Sequence, residues 1–372
     1  MVDYAKLVQE IERIAGSSAL LPPEMCPSYA VEGKVPQVVV FPETVEQIAE
    51  ILSLANREGA TVIPRGGGTK LHWGGIPRQV DIVLGLERMN QILEHEPADL
   101  TVTMQAGTRI QALQDRLGEK GQFVPLDPPF PQEATIGGTI ATNASGPKRL
   151  LYGTVRDFLL GVKVVHADGR ISRAGGKVVK NVAGYDLNKL YVGSYGTLGV
   201  LVEMTLKLLP RPETERLFFA TFPDLASAVR VASQIFQSEL RPSAIELLNS
   251  RAGALLCQEL GISITSGPLI LVGIDDVALA AERQYTQMQR YCMAEDSVEI
   301  ISLSEEKQRR LWNIVRSFSR IVREREAEAL ICRINVVPSR VGDLFQKAEE
   351  LEGSTGLPVA LLAHFGNGVV FL

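Results

Sequence analysis

The 372-residue sequence contains few cysteines, few histidines and few aromatic residues: four cysteines, four histidines and 6% aromatic residues. The cysteines are Cys26, Cys257, Cys292 and Cys332. No two of them have the CxxC spacing that is typical of zinc, iron–sulfur and redox sites. The sequence therefore excludes an iron–sulfur cluster held by this chain alone, and we predict reduced thiols.

Long apolar runs are absent as well. No run approaches the ~20 residues that a membrane-spanning helix needs. The N-terminus has apolar residues at helical spacing among charges, and it lacks the cationic start and apolar block of a signal peptide. We therefore expect a cytoplasmic protein whose only route to a membrane is through partner subunits.

Neither sign of charge dominates the sequence. There are 38 Lys and Arg residues and 43 Asp and Glu residues, which gives a formal net charge of −5. This balance excludes the overall basic surface that is typical of nucleic-acid binding. The 45% hydrophobic and 22% charged residues are average for a globular protein, which excludes a disordered chain.

The length and the glycine distribution predict two domains. A single hydrophobic core stops growing near ~250 to 300 residues, which is shorter than this chain. Glycine-rich bursts lie between strand-like runs up to about residue 210, and Pro210 and Pro212 mark the change to longer helices alternating with strands. We predict a first domain over 1–212 and a second, α+β domain over 213–372, with helices on one face of its sheet.

The periodicity of apolar residues predicts the elements. In the first domain we predict strands at 38–41, 61–63, 100–105, 158–166 and 199–208 and helices at 44–57 and 109–117. In the second we predict strands at 216–222, 243–248, 269–274, 298–302, 329–336 and 358–364 and helices at 224–237, 277–290, 304–324 and 340–351.

Three glycine-rich segments carry the chemistry, at 64–69, 134–146 and 193–199. Consecutive glycines let the backbone reach positive φ and turn several N–H groups toward one point, which is how a loop binds a phosphate. A Walker loop is excluded because no GxxxxGK string is present. A Rossmann site is not expected because no amphipathic helix follows the glycines at 66–68.

These segments bring a known family into view. The strings RGGGTKLHWGG at 65–75, PPFPQEATIGGTIATNASGPKRLLYGTVRDFLLGVKVV at 128–165 and GGKVVKNVAGYDLNKLYVGSYGTLGVLVEMTLKLLP at 175–210 resemble the FAD-binding domain of the p-cresol methylhydroxylase and vanillyl-alcohol oxidase type. Within that family, GGKVVKNVAGYDL is most similar to the E subunits of glycolate oxidases (glycolate dehydrogenases). The resemblance implies an FAD-binding domain of two α+β subdomains, split near 86–100, followed by an α+β cap or substrate domain.

The same resemblance implies the cofactor and its binding residues. The implied FAD-binding residues are Arg65, Gly66, Gly67, Gly68, Thr69, Gly138, Asn143, Ser145, Gly146, Tyr152, Gly153, Asp157 and Val200. Arg65 would add positive charge at the pyrophosphate, and the alternative for Asn143 is a helix-terminal or turn residue. Covalent members tether the flavin through a His or Cys near the loop. Here Lys70 follows Thr69, and His72 is expected to pack beside Trp73, so we predict non-covalent FAD.

One histidine lies in a string with catalytic counterparts. The string AHFGNG, which contains His364, resembles the HxGDGN string of the catalytic subunit and of related D-2-hydroxy-acid dehydrogenases. In those relatives a second histidine seven residues later and a downstream acid complete a divalent-metal site. Here position 371 is Phe371 and the Asp of the motif is Asn367, and one imidazole cannot hold a catalytic metal alone. We predict no metal site, with the C-terminus either native or truncated.

Oxidation of a 2-hydroxy acid also needs a proton acceptor and a cation for the carboxylate. His364 and Arg333 are the catalytic candidates. Arg333 and Glu246 each stand in an apolar strand and need either a partner or a water-facing position. The sequence leaves both alternatives open for these two residues.

Together these observations predict an FAD-binding subunit of a glycolate oxidase complex. It would oxidise glycolate to glyoxylate and pass the electrons to an iron–sulfur subunit, beside a sister flavoprotein with the complete metal site. The alternatives are a self-sufficient FAD-dependent D-2-hydroxy-acid dehydrogenase and a non-catalytic scaffold that binds no flavin. The apolar run at 368–372 is predicted to be an unclosed strand available to a partner.

Overall fold

The computed structural model describes residues 2–177, 185–295 and 299–372. The chain forms two compact units. Unit 1 comprises Met1–Ser145 and Thr154–Arg211, and unit 2 comprises Gly146–Gly153 and Pro212–Leu372. The division after Arg211 lies one residue from the predicted boundary, whereas the sequence did not predict that Gly146–Gly153 joins the second unit. Most of the string GGKVVKNVAGYDL lies outside the described residues.

Unit 1 is built on two main sheets. Its strands are β1 (Val38–Val40), β2 (Val62–Arg65), β3 (Ile82–Gly85), β4 (Ile92–Glu96), β5 (Thr101–Gln105), β6 (Gln122–Phe123), β7 (Leu159–Val165), β8 (Ile171–Gly175), β9 (Val200–Lys207) and β10 (Leu209–Pro210). The order β1-β3-β2 forms a parallel sheet, and β4-β5-β9-β7-β8 forms an antiparallel sheet. The strands β6 and β10 pair separately. The first sheet ends at Gly85, one residue before the predicted split at 86–100, and the second begins at Ile92, within it.

The helices of this part of the chain are short, apart from the first two. They are α1 (Tyr4–Ala15), α2 (Val45–Glu58), α3 (Ile110–Gly118), α4 (Ile136–Thr142), α5 (Arg149–Tyr152) in unit 2, α6 (Val155–Phe158) and α7 (Asn188–Tyr191). Thr44 and Gln47 form a capping box that begins α2, and Gly59 ends it in the left-handed conformation. Its buried face includes Ile48 and Leu52.

Unit 2 contains one antiparallel sheet whose strands differ in length. Its strands are β11 (Thr214–Thr221), β12 (Ala244–Leu248), β13 (Leu269–Asp276), β14 (Glu299–Ile300), β15 (Arg333–Asn335), β16 (Leu362–His364) and β17 (Val369–Phe371). Its further helices are α8 (Leu225–Gln237), α9 (Ser250–Leu260), α10 (Ala278–Ala294), α11 (Glu305–Arg325) and α12 (Val341–Thr355). The strand order is β14-β11-β13-β12-β16-β17-β15.

Helices cover both faces of this sheet, so the prediction of a single covered face is wrong. One core joins Phe218 and Ile245 on one face to apolar residues of α8, α10 and α12. A second core joins Phe219 and Leu248 on the opposite face to residues of α9 and α11. Adjacent strand residues point to opposite faces, and both members of the pair 218 and 219 are buried. The sequence analysis missed α9.

The prediction of an unclosed strand at 368–372 is also wrong. Strand β17 pairs with β16 on one side and with β15 on the other. Val370 is fully buried between them. Because both sides of β17 are hydrogen-bonded, this strand offers no free edge to a partner.

Within residues 2–177, 185–295 and 299–372, none of the helices combines the length and apolar character that crossing a membrane requires.

The core of unit 2 gives a first prediction. Phe218 is fully buried and makes an edge-on contact with Tyr285, with ring centroids 5.2 Å apart. Phe218→Ala should lower the free energy of unfolding by about 3 to 5 kcal/mol because it leaves a cavity. Chemical denaturation followed by circular dichroism measures this change. The exposed Leu279 of α10 is the control: a loss for Phe218→Ala no larger than for Leu279→Ala would contradict the assignment of this core.

Candidate functional site

The first two glycine-rich segments pack directly on each other in unit 1. Strand β2 leads into the glycine loop, defined here as Gly66–Thr69. A Cβ atom at Gly66 would lie 2.1 Å from Oγ1 of Thr135, and one at Gly67 would lie 1.9 Å from the carbonyl oxygen of Glu133. Only glycine allows this approach. The loop is therefore held against the segment that begins α4.

The third glycine-rich segment is hydrogen-bonded to the same helix. The backbone N–H of Gly193 donates to the carbonyl oxygen of Ile140 at 3.1 Å. The N–H of Tyr195 donates to the carbonyl oxygen of Ala141 at 2.8 Å. All three segments therefore meet around α4.

A cleft of about 350 Å³ lies where they meet. It is lined by Val31, Val62, Ile63, Pro64, Arg65, Gly66, Gly68, Thr69, Lys70, Leu71, Gly74, Gly75, Pro77, Leu86, Gly137, Gly138, Ala141, Thr142, Tyr195, Gly196, Thr197, Gly199, Val200 and Leu201. The wall is largely backbone and apolar side chains. Such a wall allows a flat or extended ligand to approach the main chain closely.

The glycine loop, of which Gly66, Gly68 and Thr69 line the cleft, has backbone donors that the described chain does not use. Across the described residues, the backbone N–H groups of Gly67, Gly68 and Thr69 donate no hydrogen bond to the chain. Anionic oxygens of a pyrophosphate would pair with such groups. Gly68 has φ +73°, whereas Gly66 and Gly67 do not have positive φ. Close packing therefore requires the first two glycines, and backbone conformation requires the third.

Gly138 lies in the cleft wall with space in front of it. Within the described chain, the only atom near a Cβ at Gly138, apart from its own helix backbone, is Oγ1 of Thr135 at 3.2 Å. A side chain at this position would therefore extend into the cleft and fill it. Gly138 is one of the residues that the resemblance implies for FAD binding, and that role stays a prediction.

Arg65 lines the cleft, and its side chain already has partners. Its Nη1 lies 2.6 Å from Oε1 of Glu87, and its guanidinium lies 4.3 Å from the ring centroid of Tyr29. Burial raises the pKa of Glu87, while the charges of Arg65 and Arg109 oppose that rise. The positive charge expected at the pyrophosphate is thus offset by a carboxylate.

Two predicted FAD residues have structural roles at helix ends. Asn143 ends α4 in the left-handed conformation, with φ 47°, which is the helix-terminal alternative. Oδ2 of Asp157 accepts a hydrogen bond from the backbone N–H of Thr154 at 2.8 Å and so caps α6. Ser145 is the last residue of its segment in unit 1. Val200 is buried at the start of β9 and lines the cleft.

The predicted residues Gly146, Tyr152 and Gly153 belong to unit 2 instead. The hydroxyl of Tyr152 donates to Oδ2 of Asp275 at 3.0 Å. Nζ of Lys148 lies 2.8 Å from the same carboxylate oxygen. Burial, together with the charge of Asp275, raises the pKa of Tyr152 well above its usual value. This segment is therefore anchored to β13 by a buried carboxylate.

The catalytic candidate His364 is buried and already oriented. Nδ1 of His364 lies 2.7 Å from Oε2 and 2.9 Å from Oε1 of Glu246, across the β12–β16 pair. The two side chains are only 6% and 0% exposed. The ring of Phe371 makes an edge-on contact with the imidazole, with centroids 5.5 Å apart. Of the two alternatives left open for Glu246, the structure shows the partner, which is His364.

Arg333 is not part of the His364–Glu246 pair. It lies at the edge of the sheet in β15, exposed to solvent, which is the water-facing alternative. In the part of the chain that the structure describes, no cluster of three or more His, Cys, Asp or Glu residues could hold a metal ion.

His72, the position nearest to a flavin tether, does not line the cleft. It is exposed and contacts Trp73, with ring centroids 5.9 Å apart. Nζ of Lys70 lies over the same indole at 4.8 Å. This is the packing that the sequence analysis expected of His72.

The sequence analysis singled out the third glycine segment but did not place its residues in the site. Gly196 has φ +75°, and a Cβ there would lie 2.8 Å from Cγ of Pro64. Tyr195 also has positive φ, at 53°, and lines the cleft. The signal was the GSYGTLG string itself, which needs turns that L-residues avoid.

A second cavity of about 610 Å³ lies along the other side of this segment in unit 1. It shares Val62, Pro64, Gly196, Thr197, Gly199 and Val200 with the cleft. Its remaining wall includes His166, Asp168 and Arg170. The shared residues give both cavities a common wall, along which an extended dinucleotide could lie.

Comparison with solved structures defines the class. The chain is similar to alkyldihydroxyacetonephosphate synthase, with a TM-score of 0.80 and 19% identity over 99% of this chain and 80% of that one. It is also similar to p-cresol methylhydroxylase, with a TM-score of 0.74 and 16% identity over 99% of this chain and 82% of that one. The fold is that of a p-cresol methylhydroxylase-type flavin oxidoreductase, with the predicted α+β class confirmed.

The family follows from the sequence matches. Residues 36–175 match the FAD binding domain family, and residues 211–372 match the C-terminal domain of FAD linked oxidases. The chain belongs to the FAD-linked oxidase family, it is an FAD-dependent oxidoreductase, and FAD is its cofactor.

Three curated relatives show which named proteins the chain resembles in sequence. The chain is 30% identical to glycolate oxidase subunit GlcD of Bacillus subtilis, over 90% of this chain and 72% of the relative. It is 31% identical to a D-lactate dehydrogenase of Archaeoglobus fulgidus, over 90% of this chain and 74% of the relative. It is 35% identical to a D-2-hydroxyglutarate dehydrogenase of Xanthomonas citri, over 58% of this chain but only 46% of the relative.

The cleft gives a second prediction, for FAD retention. Gly138→Leu should abolish it, because the new side chain occupies the cleft with little cost to the surrounding packing. The cofactor content is measured by the absorbance of the purified chain at about 350 to 500 nm, where flavin absorbs. Gly353→Leu is the matched control, since Gly353 is also helical, has no neighbour within 4 Å and is exposed on α12. Normal flavin content in Gly138→Leu would remove this cleft from the FAD site.

The position of His72 gives a third prediction. Acid or heat denaturation should release the flavin into the supernatant, because no His or Cys of the described chain lines the cleft. His72→Ala should release it in the same way. Flavin that sediments with the wild-type polypeptide, but not with His72→Ala, would establish a covalent bond to His72.

Proposed function

We propose that this chain is an FAD-binding subunit of a glycolate oxidase or dehydrogenase complex, which oxidises glycolate to glyoxylate. The named relatives support the coarser part of this proposal. Glycolate, D-lactate and D-2-hydroxyglutarate are all 2-hydroxy acids. The shared chemistry is therefore oxidation of the CH–OH group next to a carboxylate.

The reaction removes two electrons and two protons from the substrate. FAD supplies the two-electron acceptor when it is bound. The contribution of unit 1 is to hold that acceptor through the backbone donors of the glycine loop and to exclude side chains from the cleft. Unit 2 contains the only described imidazole that is oriented by a buried carboxylate, His364 with Glu246.

The observation that carries the proposal of a complex is the contact between His364 and Phe371. The catalytic relatives implied by the HxGDGN resemblance have a second histidine at the position of Phe371. In this chain that position lies on the adjacent strand, directly beside the imidazole, but an apolar ring occupies it. The neighbouring motif residue is Asn367 rather than Asp. We therefore infer that a sister flavoprotein supplies the complete metal site and that an iron–sulfur subunit accepts the electrons.

A self-sufficient D-2-hydroxy-acid dehydrogenase is the second candidate, and one observation favours it. When Glu246 is ionised it can only accept a hydrogen bond, so Nδ1 of His364 then carries the proton and Nε2 is left as the acceptor. An imidazole oriented in this way can take a hydroxyl proton. The two candidates differ in whether this pair is sufficient without a metal site.

The fourth prediction separates them. The purified, flavin-loaded chain should reduce an artificial electron acceptor with glycolate at less than about 1% of the rate of the reconstituted complex, because the described residues hold no metal-binding cluster and the sister flavoprotein is proposed to supply one. Adding the sister flavoprotein should restore the rate, and a chelator should abolish it again.

Two controls complete this assay. D-lactate is tested in parallel, since the relatives include a D-lactate dehydrogenase. His364→Gln is tested in the single chain and in the complex. Rapid, chelator-insensitive turnover by the single chain, lost in His364→Gln, would establish the self-sufficient dehydrogenase instead. A purified chain with no visible flavin spectrum, even after incubation with FAD, would leave only the scaffold alternative.

A further inference from the structure

A group of three side chains lies beneath the glycine loop without an assigned role. Arg65 ends β2, directly before the loop, and its guanidinium lies over the ring of Tyr29 at 4.3 Å. Oε1 of Glu87 lies 2.6 Å from Nη1 of Arg65. The two charged side chains are 20% and 27% exposed, so the pair is largely withdrawn from water. Such pairs depend strongly on both partners being present.

The guanidinium also contacts the loop itself. A Cβ atom at Gly68 would lie 2.7 Å from Nη2 and 3.0 Å from Cζ of Arg65. The backbone of Gly68 therefore rests on the guanidinium group. Gly68 is the loop residue with positive φ, and the unused N–H donors lie at positions 67 to 69. The orientation of Arg65 thus determines where these donors can point.

Glu87 does not line the cleft, and its ion-pair partner there is Arg65, which does. Its second oxygen, Oε2, is buried and accepts no hydrogen bond from the described residues. That oxygen packs closely on Gly85, where a Cβ would lie 2.6 Å away. If Arg65 turned toward a phosphate, Glu87 would keep a buried charge with neither oxygen paired, which is costly.

We propose that Glu87 is a positioning residue for FAD: it holds the Arg65 guanidinium between Tyr29 and Gly68, and this arrangement pre-organises the backbone donors that bind the pyrophosphate. Arg65 then acts as a support for the loop rather than as a charge that pairs with the cofactor. This inference depends on FAD binding and not on the identity of the hydroxy acid.

The fifth prediction concerns the direction in which Glu87→Gln changes the affinity for FAD. Glu87→Gln removes a negative charge close to a site for an anionic ligand, so electrostatics alone would strengthen FAD binding. The positioning role requires the opposite result. We expect the dissociation constant of FAD to rise on the order of tenfold, as loss of one charge-assisted hydrogen bond implies. Titration of the apo chain with FAD, followed by quenching of flavin fluorescence, measures it.

A matched control exists in the same unit. Nη1 of Arg88 lies 2.9 Å from Oε1 of Glu43, and its guanidinium lies 6.0 Å from the ring centroid of Phe41. This group has the same chemistry but does not line the cleft. Glu43→Gln should leave the dissociation constant within about twofold, since exposed ion pairs contribute little. The unfolding temperature of each apo variant shows whether a weaker affinity merely reflects lower stability.

A second variant keeps the proposal testable if Glu87→Gln does not fold. Arg65→Lys retains the charge but loses the planar group on which Gly68 rests. The positioning role predicts weaker FAD binding by a similar factor. A role as a phosphate-binding charge predicts little change. Unchanged or tighter FAD binding by Glu87→Gln, or by Arg65→Lys where the first variant is unfolded, would overturn the proposal.

Discussion

The contact on which the site depends is the packing of one glycine loop against the backbone of another segment. Gly66 and Gly67 approach residues 133 to 135 so closely that no side chain fits between them. This approach brings the loop after β2 to the start of α4, and the third glycine segment is then hydrogen-bonded to the same helix. Steric exclusion of Cβ atoms, rather than any single strong interaction, thus creates a cleft whose wall is mostly main chain.

The same constraint favours backbone groups as the contacts to an anionic cofactor. The two cations next to the loop in sequence already have partners: Arg65 is paired with Glu87, and Lys70 lies over the indole of Trp73. In the proposed binding mode, recognition depends on fixed backbone dipoles, which need no counter-charge but must be aimed correctly. A site of this kind gains specificity from geometry, and its supporting residues matter as much as those that touch the ligand.

The sequence predicted the fold class, most elements and the glycine loop, because local periodicity and glycine spacing reflect local backbone needs. It missed α9 because Gly253 interrupts the helical pattern, although this glycine is required where the helix packs on Leu269. It misjudged β17 because one of its two partners, β15, lies more than 30 residues earlier in the chain, although the other, β16, immediately precedes it. The Arg65–Glu87 and His364–Glu246 pairs could not be predicted from the sequence either, because their residues are 22 and 118 positions apart and meet only in the folded chain.

The position of β17 between β16 and β15 also affects how unit 2 folds during synthesis. Strand β15 has β17 as its hydrogen-bonded neighbour, yet it precedes that neighbour by more than 30 residues, with α12 between them. A nascent chain on the ribosome therefore carries β15 without its partner until residue 371 has left the exit tunnel. Until then Val370 and the core beneath it are incomplete. This interval is when unit 2 is most exposed to chaperones and to aggregation with neighbouring nascent chains.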